Sequence, residues 1–349
     1  MKALVYNGPG SPSWETIPDP TIEDPTDVIV RVDTTTICGT DLHILKGDVP
    51  SVKPGTVLGH EAVGTVAEVG SGVTSLVPGD RVIVSCITSC GSCQYCRRPM
   101  PSHCQAFGST GWVLGNSING TQAEYVRLPY GQNSTYKLPE GMTDSQALFL
   151  SDIFPTGFEM GVRYGRVTPG DIVAVVGVGP VGLAAVATAG LYGASKVIAV
   201  GRTRPRIDKA LEMGASHGVS TKDPDWFETV MNLTDGLGVD VVIEAVGVPE
   251  TLEQAFRLVR PGGHVANAGV HGTSFSLPIH DLWIQNITFT TGLVDTVTIP
   301  ILIDLIKAGR IHPEVMGTHE FSMEDMMGAY DVFSNASKHN CLKTVITNS

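Results

Sequence analysis

Four cysteines, Cys90, Cys93, Cys96 and Cys104, stand in the run Cys-Gly-Ser-Cys-Gln-Tyr-Cys-Arg-Arg-Pro-Met-Pro-Ser-His-Cys. That spacing folds a short loop back on itself and gathers four thiolates around one tetrahedral zinc ion, a closed and therefore structural site. In zinc-finger peptides such ligation supplies about 10–16 kcal/mol of apparent binding free energy, enough to fix a lobe with almost no apolar core. Upstream, Cys38 and His60 offer a thiolate and an imidazole from separate turns. Neither binds zinc tightly alone, and a catalytic zinc with three protein ligands and an open fourth position needs one more donor from elsewhere in the chain. His103 is surplus to the four thiolates and is expected to be solvated or capping. Cys86 and Cys341 are expected to be small buried hydrophobes.

A second chemistry starts at Gly-Val-Gly-Pro-Val-Gly, residues 177–182. The motif follows a short β-branched run and opens an apolar segment, the context in which it cradles a dinucleotide pyrophosphate. Gly177 permits the turn, Gly179 the close approach of backbone to phosphate, and Gly182 the contact of helix with sheet; Pro180 and Val181 complete the turn. The next strand should end in an acidic residue if NAD is to be held by its ribose hydroxyls. The sequence there reads Gly201-Arg202-Thr203-Arg204. Gly201 leaves room for a 2′-phosphate, and Arg202 or Arg204 supplies forked donors to neutralise it, so NADP is the better match and NAD the alternative. Arg206, Thr221 and Lys222 rank behind them.

The elements that must carry these residues change character along the chain. With 349 residues, the protein is too long for one ordinary core and reads as two domains. Up to about residue 130, short apolar runs such as 28–30 and 81–84 alternate with Gly, Pro, Asp and Thr turns, which is mostly β. From about residue 167, apolar strands at 172–176, 197–200, 239–243 and 264–267 alternate with helix-length segments, which implies a doubly wound parallel sheet of the α/β class. Helices are expected at 299–307 and 323–333, and a closing strand at 342–346 that rejoins the first domain. Residues 172–191 carry no charge, but Gly177, Gly179, Pro180 and Gly182 interrupt what a membrane span would need to keep continuous.

A net charge of −12 without a long charged block leaves nucleic acid no electrostatic footing. The N-terminal Met-Lys-Ala-Leu-Val-Tyr-Asn-Gly-Pro-Gly is broken by turn formers before any signal-peptide core forms. With seven cysteines expected to be reduced or metal-bound, a cytoplasmic protein is expected.

Taken in order, Cys38 with Thr40 and His43, Gly59-His60-Glu61 followed by Gly64, Gly70 and Val73, the four-cysteine lobe and the 177–182 turn make the chain resemble the zinc-dependent medium-chain alcohol dehydrogenases, bacterial ones above all. The resemblance covers nearly the whole length. It implies a β-rich GroES-like catalytic domain over 1–153 and 296–349, with its zinc lobe near 86–105, and a Rossmann dinucleotide-binding domain over 154–295. It also implies that Cys38, His60 and Asp152 ligate the catalytic zinc, where many relatives have a cysteine in place of the aspartate. Glu61 either exchanges with water as a transient ligand or orients the site. Thr40 and His43 would relay the proton, and Thr156, Val270 and Leu293 would line the nicotinamide side, with Trp112 either a pocket wall or a core residue. The implied reaction is reversible hydride transfer between a small alcohol and a ketone or aldehyde, with two zinc ions per chain and a homotetrameric assembly. Polyol, butanediol or threonine oxidation on the same scaffold is the neighbouring reading, and a non-catalytic dinucleotide-binding descendant the distant one.

Overall fold

Residues of the strand Val28–Thr35, Val-Ile-Val-Arg-Val-Asp-Thr-Thr, are buried except Arg31 and Asp33, so the strand lies inside a sheet with one polar edge to its middle. It is the spine of the first of two units into which the chain divides: Met1–Asp152 with Asp295–Ser349, and Ile153–Val294. The structure, a computed structural model, describes residues 1–108 and 110–348.

In the first unit, Val28–Thr35 pairs antiparallel with Ala62–Val69, Tyr125–Leu128 and Lys343–Thr347. The sheet continues through Arg81–Val84 to Thr135–Lys137 on one side and through Lys343–Thr347 to Gly317–Ser322 on the other. The expected closing strand is thus present, displaced by one residue. A smaller sheet joins Pro12–Thr16, Lys2–Tyr6 and Thr56–Val57. Val30, Val32, Leu58, Val82, Val84, Leu114 and Ile346 fill the core, and the helix Met326–Ser334 lays Met326, Ala329 and Tyr330 against it. The segment expected to be one helix at 323–333 opens with a 3₁₀ turn, Met323–Asp325, before the α-helix proper.

The second unit carries six parallel strands, in the spatial order His217–Ser220, Lys196–Gly201, Ile172–Val176, Val239–Glu244, Val259–Asn267, Thr288–Thr291. Numbered along the chain this is 3-2-1-4-5-6, the doubly wound order, with its switch point between the first and fourth strands. The four strands read from the sequence are the inner ones, buried along most of their length and therefore mostly apolar. The two outer strands escape that reading: His-Gly-Val-Ser has one buried apolar residue and Thr-Phe-Thr-Thr none. Residues 172–191 resolve into strand, turn and helix. Among the described residues, no helix is long and apolar enough to cross a membrane.

Candidate functional site

Among the described residues, two sets of side chains are placed where they could hold a metal ion, both in the first unit. In the lobe, one sulfur from each of Cys90, Cys93, Cys96 and Cys104 lies within 4.8 Å of every other. Cys90 and Cys96 sulfurs are 4.0 Å apart and those of Cys93 and Cys96 3.5 Å. A zinc–sulfur bond of about 2.3 Å puts tetrahedral sulfurs about 3.8 Å apart, so the set fits zinc. Backbone N–H groups of Cys93 and Cys90 point at the sulfurs of Cys90 and Cys104, 3.4 and 3.2 Å away, as negatively charged thiolates require. The backbone N–H of Cys96, foremost, draws Cys93 down to about 6, while burial pushes Cys96 up to about 12. No disulfide forms among these cysteines. Behind the lobe, Ser102 donates from N and Oγ to Asp295, at 3.1 and 2.5 Å, and its Oγ is 2.9 Å from Nδ1 of His103, which therefore packs beside the ligands and not among them.

The second set is Cys38, His60, Glu61 and Asp152, again with one donor atom of each within 4.8 Å of the rest. Cys38 precedes the helix Gly39–Lys46 as its cap, with its backbone N–H donating to Asp41 at 2.9 Å. His60 and Glu61 come from the turn before Ala62–Val69. Gly59 has φ +93, and a Cβ there would lie 2.6 Å from Cγ of Gln122, so only glycine lets the turn close. Asp152 arrives from the chain after the short turn Leu148–Leu150. Its Oδ2 is 3.3 Å from Nε2 of His60 and 3.8 Å from the Cys38 sulfur.

This pocket of donors is built for a cation. Burial alone would lower His60, yet hydrogen bonds to Asp152 and Cys38 outweigh it and hold the imidazole well above its ordinary value. The donors around the imidazole thus favour its positive form. Nδ1 of His60 and Oε2 of Glu61 are buried without a hydrogen-bond partner, and Oδ1 of Asp41 faces that Nδ1 at 3.7 Å. A thiol, an imidazole and carboxylates are the donors zinc takes.

Residues that the sequence reading left out hold this set in place. Lys343, from the closing strand, donates to Oε1 of Glu61 at 2.7 Å and to the carbonyl of Ile37 at 2.8 Å. Burial pushes Glu61 up, to about 7, against the pull of Lys343. Gln122 donates to Oδ2 of Asp41 at 3.0 Å and accepts from the Tyr330 hydroxyl at 2.7 Å. Cys86, expected to be a small buried hydrophobe, is buried but also donates to Oδ1 of Asp152 at 3.6 Å. Burial, then the charge of Asp152, raises its thiol well above the ordinary value. Cys341 is also buried. Trp112 meets His60 in a T-shaped contact with ring centroids 6.3 Å apart and packs against the core, so it serves as both core residue and wall to the donors. Thr40 and His43 share one helix; the Cys38 thiol reaches Oγ1 of Thr40 at 3.7 Å, and Nδ1 of His43 pairs with Asp48 at 2.8 Å.

The dinucleotide turn belongs to the second unit. Gly177, with φ +97, leaves Ile172–Val176, and Gly179 caps the helix Pro180–Ala189 with Pro180 in its first turn. Val181 and Gly182 follow, and a Cβ on Gly182 would collide with the Gly177 carbonyl oxygen. Gly157, beside Thr156, packs on Val181 and Ala184 of that helix. Gly201 closes its strand buried, with its missing Cβ aimed at Val178 Cγ2 at 2.5 Å. Arg202 is exposed; Arg204 pairs with Asp208 at 2.8 Å, and Arg206 lies 3.5 Å from a Cβ placed on Gly179. Val270 is exposed beside Gly247, and Leu293 is half-buried near the end of the unit.

Comparison with known proteins agrees with this geometry. The model of the alcohol dehydrogenase GroES-like domain matches residues 24–140, and that of the zinc-binding dehydrogenases residues 180–308. An alcohol dehydrogenase of Cupriavidus necator is 38% identical over 96% of this chain and 95% of its own length. Zinc-dependent alcohol dehydrogenase 2 of Streptococcus pneumoniae superposes with a TM-score of 0.95 at 45% identity, covering 100% of this chain and 99% of its own. A protein of Sinorhizobium meliloti 1021, assigned as a zinc-binding dehydrogenase and solved with NADP, gives 0.85 at 30% identity over 99% and 98% of the two chains. The chain therefore belongs to the zinc-dependent medium-chain dehydrogenase family, with its GroES-like and Rossmann-type fold, and is an oxidoreductase.

Proposed function

We propose that this enzyme is an alcohol dehydrogenase that moves hydride reversibly between a small primary or secondary alcohol and NADP, with one catalytic and one structural zinc per chain. The observation that carries the reading is the convergence of Cys38, His60, Glu61 and Asp152, with donor atoms within 4.8 Å of one another and a cation-seeking charge balance. Cys38, His60 and Asp152 would hold the catalytic ion and the four lobe cysteines the structural one. When bound, zinc supplies Lewis acidity toward an alcohol or carbonyl oxygen, and the nicotinamide supplies the hydride acceptor or donor.

The protein's own side chains do the rest. Asp41 faces His60 Nδ1 and fixes the Cys38 backbone, so one carboxylate steadies two ligands. Lys343 holds Glu61 by one oxygen, which suits a supporting position beside the ligands. Thr40 passes the alcohol proton outward and His43, one helical turn on, takes it; Asp48 on Nδ1 orients that imidazole toward the exchange at its other nitrogen.

The solved NADP complex of the 30% identical relative supports a nicotinamide dinucleotide as the cofactor class. The choice of NADP rests on this chain's own turn, where Gly201 stands in place of an acid and Arg202 is exposed beside it. Gly177, Gly179, Pro180, Val181 and Gly182 would cradle the pyrophosphate, with Arg204 in support and Thr156, Val270 and Leu293 on the nicotinamide side. Family resemblance supports a homotetramer, and the cysteine usage a cytoplasmic location. Initial rates of 2-butanol oxidation, with NADP and NAD varied in parallel, test the reading. It predicts a higher rate per unit concentration with NADP; equal or better use of NAD would overturn the cofactor choice, and no rate with either would overturn the substrate class.

A further inference from the structure

We propose that Cys86 is a positioning residue for Asp152, its thiol fixing which carboxylate oxygen turns to the metal. The inference rests on the catalytic-zinc reading above and adds a residue to it. The two oxygens of Asp152 have divided surroundings. Oδ2 faces the other ligands, 3.3 Å from His60 Nε2 and 3.8 Å from the Cys38 sulfur, while Oδ1 faces away and accepts the Cys86 thiol at 3.6 Å.

Cys86 can impose this because it is itself fixed. Its backbone N–H donates to the carbonyl of Ser151 at 3.0 Å, so backbone and side chain grip the same two-residue turn. Its neighbour Ser85 pairs with Thr296 Oγ1 at 2.7 Å and accepts from the backbone of Ile87 at 3.1 Å. Cys86 is 3% exposed, so its thiol is shielded from water.

An aspartate with both oxygens free can rotate and ligate through either or both, and bidentate ligation fills the position that an open zinc site keeps for substrate. A donor on Oδ1 leaves Oδ2 as the single metal-facing oxygen, the usual service of a group hydrogen-bonded to a ligating carboxylate. A thiol suits the position, since it donates weakly and adds no charge.

The test compares the zinc-loaded enzyme with Cys86→Val and Cys86→Ala, which remove the donor, and Cys86→Ser, which keeps one. Zinc affinity is read by chelator competition, and each site's ligation by NMR after exchange with cadmium, where the lobe resonance reports an intact fold. The donor-free variants should lose about 10–100-fold in affinity at the catalytic site and shift its resonance alone, whereas Cys86→Ser should stay near the parent in both. Unchanged affinity and resonance in both donor-free variants would overturn the proposal, as would a Cys86→Ser variant as impaired as Cys86→Val. A parent with the lobe resonance only would refute the catalytic-site reading itself, and the proposal with it.

Discussion

Lys343 and Glu61, 282 residues apart in sequence, form an ion pair of 2.7 Å with each side chain 1% exposed. Removing one member of such a pair strands a charge in the interior, which costs about 3–5 kcal/mol. Lys343→Met should destabilise the enzyme by about that much in urea unfolding, and Lys343→Met with Glu61→Gln should recover a large part, because the stranded charge is gone. Burial alone would lower Lys343, but Glu61 outweighs it and holds the ammonium above 10.5. The sign follows: the folded chain binds this proton more tightly than the unfolded one, so the stabilisation is full between pH about 7, above which Glu61 is ionised, and pH 10.5, and is lost as pH rises through the folded Lys343 value. The alkaline limb of the parent's stability profile should flatten in Lys343→Met.

Gly182 tests the dinucleotide turn without touching a charge. A Cβ there meets the Gly177 carbonyl, a backbone atom that cannot swing aside, so the helix must back away from the sheet. Gly182→Ala should cost about 1–3 kcal/mol of overpacking and weaken binding of NADP and NAD alike. Fluorescence titration with both reduced cofactors checks it; a selective loss of one would point away from the pyrophosphate.

Gly201 and Arg202 test cofactor choice. If the proposed cofactor choice holds, Arg202→Ala should weaken NADP while sparing NAD, since its guanidinium would neutralise the 2′-phosphate that NAD lacks. Gly201→Asp should shift preference toward NAD, with a stability penalty, because the new side chain starts 2.5 Å from Val178 Cγ2. Ratios of kcat/KM for the two cofactors decide both.

Much of this was legible from local pattern. The four-cysteine spacing and the 177–182 turn work through residues close in sequence, so the string alone shows both. Cys38 and His60 were readable as donors by type, but Asp152 was reached through family resemblance, because nothing about an isolated aspartate announces a ligand. The supporting residues were not readable at all. Lys343, Gln122 and Cys86 reach their partners Glu61, Asp41 and Asp152 across 282, 81 and 66 residues, distances that only the closed sheet brings to nothing. Thr288–Thr291 lacked the apolar run of a buried strand because it lies at one edge of its sheet. The π-helical stretch Gly157–Arg163 has no sequence signal of its own.

The most direct test of an open catalytic zinc beside a closed structural one is a metal count on the purified enzyme and on His60→Ala, with 2-butanol oxidation followed in the same samples. The account predicts two zinc ions per chain in the parent and one in the variant, with activity lost and the lobe metal retained. One zinc in the parent, or two retained in an active variant, would contradict it.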